Sequence, residues 1–188
     1  MAQFTQKAII ETFHEMLETT PFDKITVSSI VAKCEISSNT FYYHFRDIYD
    51  LFDAWLKREM DTVLSPFSPD DPWENAIKAI LHYIKDHKSI IDHVSTSLSR
   101  ERLKRYIFDA AGESIHLLVC KEAEGQTVSE ECLQDVSDFC RFALLGFFLK
   151  FIWNDMHIDI DESVDRLSVL FVGFVRNAFH EYASGMKI

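Results

Sequence analysis

Five glycines and four prolines have to serve all 188 residues, and that scarcity limits what the chain can become more than any motif does. Hairpins, bulges and tight turns draw on Gly and Pro, whereas long helices need few of either. Hydrophobic spacing agrees. Ala8, Ile9, Phe13, Met16 and Leu17 recur at intervals near 3.6 residues, which gathers them on one helical face. Strand-like alternation is absent and no internal repeat stands out. The chain reads as all-α.

Start and stop signals divide it further. A first helix is predicted from Thr5, as N-cap, to about Glu18, where Thr20-Pro21 stops it because the residue before proline avoids helical dihedrals. Thr26 caps a short helix over 27–33 with Ile30 and Val31 inward, and Ser37 caps another over 38–45. Asp47 caps a longer one over 48–64, with Leu51, Phe52, Trp55 and Leu56 inward. The Pro/Ser-rich break SPFSPDDP at 65–72 precedes Asp71-Pro72-Trp73-Glu74, a strong start signal with Asp71 and Glu74 forming a capping box. Helices follow to about His87, in shorter pieces over 89–98, and then over 100–122, 130–154 and 162–183.

The net charge is −11, so the chain is not one that coats nucleic acid or an anionic membrane along its whole surface. A small local site remains compatible with it. No signal peptide is expected from MAQFTQKAII, and the most apolar run, Phe139 to Trp153, includes Arg141 and Lys150. At about 15 residues it is shorter than the roughly 20 that a membrane span needs, so it reads as a buried helix of a cytoplasmic protein. Cys34, Cys120, Cys132 and Cys140 form no CxxC pair and are expected to be buried reduced thiols. The eight histidines show no HExxH, and His82 and His87 do not share a helix face, so no metal is expected. GxSxG, P-loop and GxGxxG motifs are absent. Neither an enzyme nor a cofactor is expected.

One constellation does carry chemistry. Two short helices joined by Cys34-Glu35-Ile36, after a longer one, give the layout of a helix-turn-helix, whose second helix enters the major groove. On that helix Phe41 and Phe45 sit at i, i+4 and anchor it inward. Ser38, Asn39, Thr40, Tyr42, Tyr43 and His44 all carry hydrogen-bonding groups for the outer face.

SSNTFYYHFRDIYDL, residues 37–51, resembles the recognition helix and following turn of the TetR/AcrR family of regulators, and TVSSIVAKCEIS resembles the preceding helix and turn. The resemblance is clear over about residues 5–56. Beyond that, helix count and length are similar to the family, including its subgroup associated with dihydroxyacetone kinase operons. It implies that Tyr42 and His44 touch phosphates, that Ser38, Asn39 and Tyr43 approach bases, and that Thr26, Ser28 and Thr40 support from the helix ends. The start of the next helix would add backbone N–H groups aimed at a phosphate. Two positions depart from the family pattern. Glu35 replaces a glycine, at a cost of roughly 1–2 kcal/mol if that residue is left-handed. Ile48 replaces a lysine, which removes one phosphate contact that Arg46 or Lys33 would have to restore. Residues 1–46 carry four cations against five anions, so a single domain should bind modestly and binding as a dimer is nearly required.

The implied organisation is a helix-turn-helix DNA-binding domain over 1–46, a connecting helix over 47–64, and a helical ligand-binding and dimerisation domain over 71–188. The last two helices are apolar nearly all round, so one side can serve the core and the other a second subunit. Phe139, Phe142, Gly146, Phe147, Leu167, Phe171, Phe174 and Phe179 are the expected homodimer contacts. In this family a small-molecule effector is held among the preceding helices, where His82, Tyr83, Tyr106 and His116 are the candidates. The expected function is that of a ligand-responsive repressor on a palindromic double-stranded DNA operator, with no membrane partner. The alternative is a coactivator working through a partner regulator.

Overall fold

The computed structural model describes residues 2–68, 70–98 and 100–183. These form nine α-helices and one short 3-10 turn: α1 (Ala2–Thr19), the turn Phe22–Lys24, α2 (Val27–Lys33), α3 (Ser38–His44), α4 (Ile48–Leu64), α5 (Trp73–Asp86), α6 (Lys88–Ser97), α7 (Arg100–Glu122), α8 (Glu130–Trp153) and α9 (Ile160–Ala183). The fold is all-α, and the predicted bounds of α2, α4 and α7 coincide with the observed ones.

Where boundaries differ, local chemistry explains it. α1 begins at Ala2, so Thr5 lies within it rather than capping it; nothing before Thr5 breaks a helix. Residues 88–97 make one helix instead of several pieces. α9 starts two residues early because the Asp159 carboxylate accepts the Glu162 N–H at 2.9 Å. At the start of α5 the expected box gives way to other partners. Asp71 accepts the Ser68 N–H at 2.7 Å, closing a turn upstream, and Glu74 accepts from the Ser168 hydroxyl.

Two compact units emerge. The first combines Met1–Asp71 with Ala79–Arg100, and the second combines Pro72–Lys78 with Glu101–Ile188. In the first, Ile9, Phe13 and Leu17 of α1 meet Phe22, Ile30, Phe41, Leu51, Phe52 and Trp55 in an aromatic-rich core. Phe13 packs edge-on to both Phe22 and Trp55, with ring centroids 6.1 and 6.0 Å apart. Ala8, predicted on the inner face, is exposed, while Ile10 is buried. Residues 79–100 join this unit through buried Leu81, Ile90, Val94 and Leu98. Polar ties reinforce them: His93 Nδ1 donates to the Leu17 carbonyl at 2.7 Å, Ser97 donates to Asp23 at 3.2 Å, and Tyr83 donates to Glu59. Burial and the Glu59 carboxylate push the Tyr83 hydroxyl pKa up.

The second unit is built on α7, α8 and α9. Its core takes Ile115 and Val119 from α7, then Cys132, Val136, Cys140, Leu144, Phe148 and Phe151 from α8, and Val164, Val175 and Phe179 from α9. α8 ends in a left-handed turn. Asp155 and Met156 both have positive φ, and the Met156 N–H returns to the Phe151 carbonyl at 2.9 Å. Met156 is buried, so its side chain joins the core it closes.

Candidate nucleic-acid interface

The geometry of α2, its turn and α3 follows from three local devices. At the start of α2 the Thr26 hydroxyl accepts the Ser29 N–H at 3.1 Å, and the Ser29 hydroxyl accepts the Thr26 N–H at 3.0 Å. This reciprocal box satisfies two N–H groups that a helix start leaves unpaired. At its end Glu35 is left-handed, with φ of 55°. The Ile36 N–H reaches back to the Val31 carbonyl at 3.0 Å, and the Glu35 N–H to Ala32 at 3.4 Å. That is a Schellman closure with a non-glycine at its left-handed position, so Glu35 carries a strain of roughly 1–2 kcal/mol. Then Ser37 caps α3, accepting the Thr40 N–H at 3.1 Å.

α3 is held by its inner side and open on its outer side. Phe41 and Phe45 are buried, their rings 5.7 Å apart. Ser38, Asn39, Tyr42 and Tyr43 are exposed, the two tyrosines at 57% and 78%. His44 is half-buried, its ring set edge-on against Tyr43 at 5.0 Å. Thr40 is half-buried too, and its hydroxyl is tied to Ser37 at 2.8 Å. Thr26 is exposed but occupied as the α2 cap, and Ser28 is exposed beside it. The six polar residues expected on one outer face therefore split. Four are open to a ligand, and two are partly engaged in holding the helix.

The start of the following helix is more occupied than expected, because the Asp47 carboxylate accepts the Tyr49 and Asp50 N–H groups at 2.8 and 2.9 Å. The cations near the site are also paired. Arg46 bonds Asp50 through its guanidinium at 3.0 Å, and its backbone N–H reaches the same carboxylate. Lys33 pairs with Glu15 at 3.0 Å. Arg46 lowers the Asp50 pKa, first through its side-chain hydrogen bond. Exposed pairs of this kind are worth about 0–1 kcal/mol, so a phosphate can compete for either cation. Tyr49, absent from the expected contacts, is exposed in the first turn of α4 with its ring 5.5 Å from Phe22. An aromatic two residues after a capping Asp, in the first turn of the helix, was the signal for it.

The residues assigned to a partner subunit also divide. Phe139 and Phe142 are exposed at 56% and 62%, Gly146 is exposed, and Phe174 stacks on Phe139 at a centroid distance of 4.3 Å. Phe147, Leu167 and Phe171 are half-buried, the last against Trp73 at 5.2 Å. Phe179 is corrected: it is buried in the unit's own core, because its turn of α9 faces inward with Val175. Val169 and Leu170 extend the exposed strip instead. A Cβ placed on Gly146 or Gly173 would meet nothing within 4 Å, so packing within the protomer does not require glycine at either position.

The four sensor candidates fall in different units. His82 is exposed and Tyr83 half-buried in the first, while Tyr106 and His116 are half-buried in the second. None of them lines the cleft of about 340 Å³ in the first unit, which is bounded by Ile10, Glu11, His14, Glu15, Arg58 and Glu59. Cys132 and Cys140 are buried as expected, but Cys34 and Cys120 are only half-buried. Among the described residues no group of three His, Cys, Asp or Glu could hold a metal ion. No described helix is long and apolar enough to cross a membrane.

Comparison with known proteins places this geometry. Residues 9–55 match the family described as bacterial regulatory proteins, tetR family, and residues 71–173 match that described as transcriptional regulator C-terminal region. The chain is similar to the HTH-type dhaKLM operon transcriptional activator DhaS of Lactococcus lactis subsp. lactis (strain IL1403), at 24% identity over 84 residues. That match spans 45% of this chain and 45% of the relative's length. The solved structure of a dihydroxyacetone kinase operon activator DhaS superposes with a TM-score of 0.67 at 14% identity, covering 92% of this chain and 96% of that one. At that identity the likeness speaks for the fold. With both segments matched, and the helix-turn-helix built as described, the chain belongs to the TetR family of bacterial transcription regulators.

Proposed function

We propose that this protein binds a palindromic DNA operator as a homodimer and changes transcription from it in response to a small-molecule effector. The observation that carries the reading is the two-sidedness of α3, where buried Phe41 and Phe45 leave Ser38, Asn39, Tyr42 and Tyr43 exposed. A helix fixed by one face and polar on the other suits the major groove, where side-chain donors and acceptors read base edges. The second subunit is supported by the exposed apolar strip of α8 and α9. Soluble monomers rarely leave a contiguous patch of large apolar side chains in water. A two-fold dimer doubles the phosphate contacts that a domain with four paired cations otherwise lacks.

On the sign of regulation, both relatives are described as operon activators, and this favours activation over the repression expected from the sequence. Ile48 and the partly occupied α4 start favour the same direction, since a weak DNA contact suits a regulator assisted by a second protein. The test is a gel shift with DNA upstream of the protein's own gene at low and moderate salt, paired with a reporter in a deletion strain. Salt-sensitive binding by the purified protein supports the DNA reading, and reporter output that falls on deletion supports activation. A shift seen only with a second regulator present would make the protein a coactivator. No shift under any condition, with unchanged reporter output, would sink the proposal.

A further inference from the structure

Cys120 differs from the other three thiols in what faces it. Cys132 and Cys140 are buried, and burial pushes their pKa values up, that of Cys140 to about 11. Cys34 is half-buried at the end of α2, and among the described residues no imidazole is hydrogen-bonded to it. Cys120 is also half-buried, and its Sγ lies 3.6 Å from Nε2 of His116, one turn earlier on α7.

The tautomer of His116 follows from its other side. Ser137 is 1% exposed, and its hydroxyl donates to the Leu133 carbonyl at 2.6 Å. A hydroxyl has one hydrogen. At 3.0 Å from His116 Nδ1 the same oxygen can therefore only accept, so Nδ1 carries the proton and donates it. In the neutral ring this leaves the Nε2 lone pair aimed at the thiol. The Leu133 carbonyl, Ser137 and His116 thus form a fixed chain ending in a proton acceptor at Cys120. A nucleophile facing a base that a third group orients is the arrangement that activates thiols.

We propose that Cys120 is a modification site, a nucleophilic thiol that takes up soft carbon electrophiles of the α,β-unsaturated carbonyl class with His116 as its proton acceptor. The Sγ proton passes to Nε2 as the Sγ–C bond forms at the β-carbon. The displaced C=C pair moves to the α-carbon, which then takes the proton from Nε2. Nothing leaves and nothing is oxidised. The site is on α7 and α8 and stands independently of the DNA reading.

The test treats the full-length reduced protein with limiting N-ethylmaleimide and quantifies adducts on Cys120 and Cys34 by peptide mass spectrometry. Cys120 should react at least about tenfold faster than Cys34, a modest share of the roughly 10²–10⁴-fold that a positioned base contributes. His116→Asn keeps a donor for Ser137 and deletes the acceptor facing Cys120. It should slow Cys120 by about tenfold and leave Cys34 unchanged. Equal rates at the two thiols in the parent protein, or an unslowed Cys120 in the variant, overturns the proposal. Should circular dichroism show the variant unfolded, the comparison of the two thiols in the parent decides alone.

Discussion

The outer face of α3 and the outer strip of α8 and α9 are both left bare by the protomer, yet they are opposite in kind. On α3, Asn39, Tyr42 and Tyr43 carry hydrogen-bonding groups into solvent over a floor of buried phenylalanine. On α8 and α9, Phe139, Phe142, Val169 and Leu170 are apolar to their tips, and Leu170 is 69% exposed. Water tolerates the first surface and penalises the second. Exposure therefore means different things in the two places. A polar face can wait for a polyanion, whereas an apolar strip calls for a permanent cover. The proposed partners, an operator and a second subunit, match that difference.

The comparison can be broken most severely from beneath. Phe41→Ala removes the fully buried anchor of α3 and should cost about 3–5 kcal/mol, read as a fall in the urea midpoint. An unchanged midpoint would mean that α3 is not fixed by its inner face. The apolar side is next. Charging two positions, Phe142→Asp with Leu170→Asp, should cost the association about 2–4 kcal/mol. Sedimentation would then show protomers where the parent is dimeric, and a parent that is itself monomeric removes the basis for a strip awaiting a subunit.

Smaller effects sharpen the polar side. Asn39→Ala should lose about 1–3 kcal/mol on its preferred operator and relax sequence preference, whereas Tyr42→Ala should weaken every sequence alike. If both variants keep the parent's affinity in a fluorescence titration, α3 is not the reading helix. Glu35→Gly relieves a left-handed Glu but loosens the unfolded chain, so thermal unfolding should show a net gain of about 0.5–1 kcal/mol. The smallest change is Asp50→Asn, which frees Arg46 and should steepen the salt dependence of DNA binding by about one unit. Because Arg46 holds the Asp50 pKa down, the pair is intact at neutral pH. Its contribution to stability is lost only as the pH falls below the ordinary carboxylate value of about 3.9. The variant and the parent should therefore converge in stability in acid.

Much of the DNA-reading region was legible because its signals are local. Thr26, Ser37 and Asp47 cap the helices they were expected to cap, and Phe41 and Phe45 are buried on a period that needs no tertiary information. The substitution at Glu35 was visible as a departure, and its positive φ confirms the turn that the spacing implied. The occupied α4 start was less legible. The same Asp47 that signals a helix start also consumes two of the N–H groups a phosphate could use. The sensor candidates were least legible, because a lone His or Tyr looks alike in a sequence whatever surrounds it.

The sequence by itself determined where the helices run, which short one turns two aromatics inward, and that α8 and α9 carry more apolar surface than one core can use. Each of these depends on neighbours within a turn or two. Only the tertiary structure decided which apolar residues stay covered, burying Phe179 while leaving Phe174 and Leu170 open. It also decided that residues 79–100 pack with the first unit, and that Ser137 reaches across from α8 to orient His116 toward Cys120. Burial and tautomer are set by atoms distant in the chain, and periodicity carries no record of them.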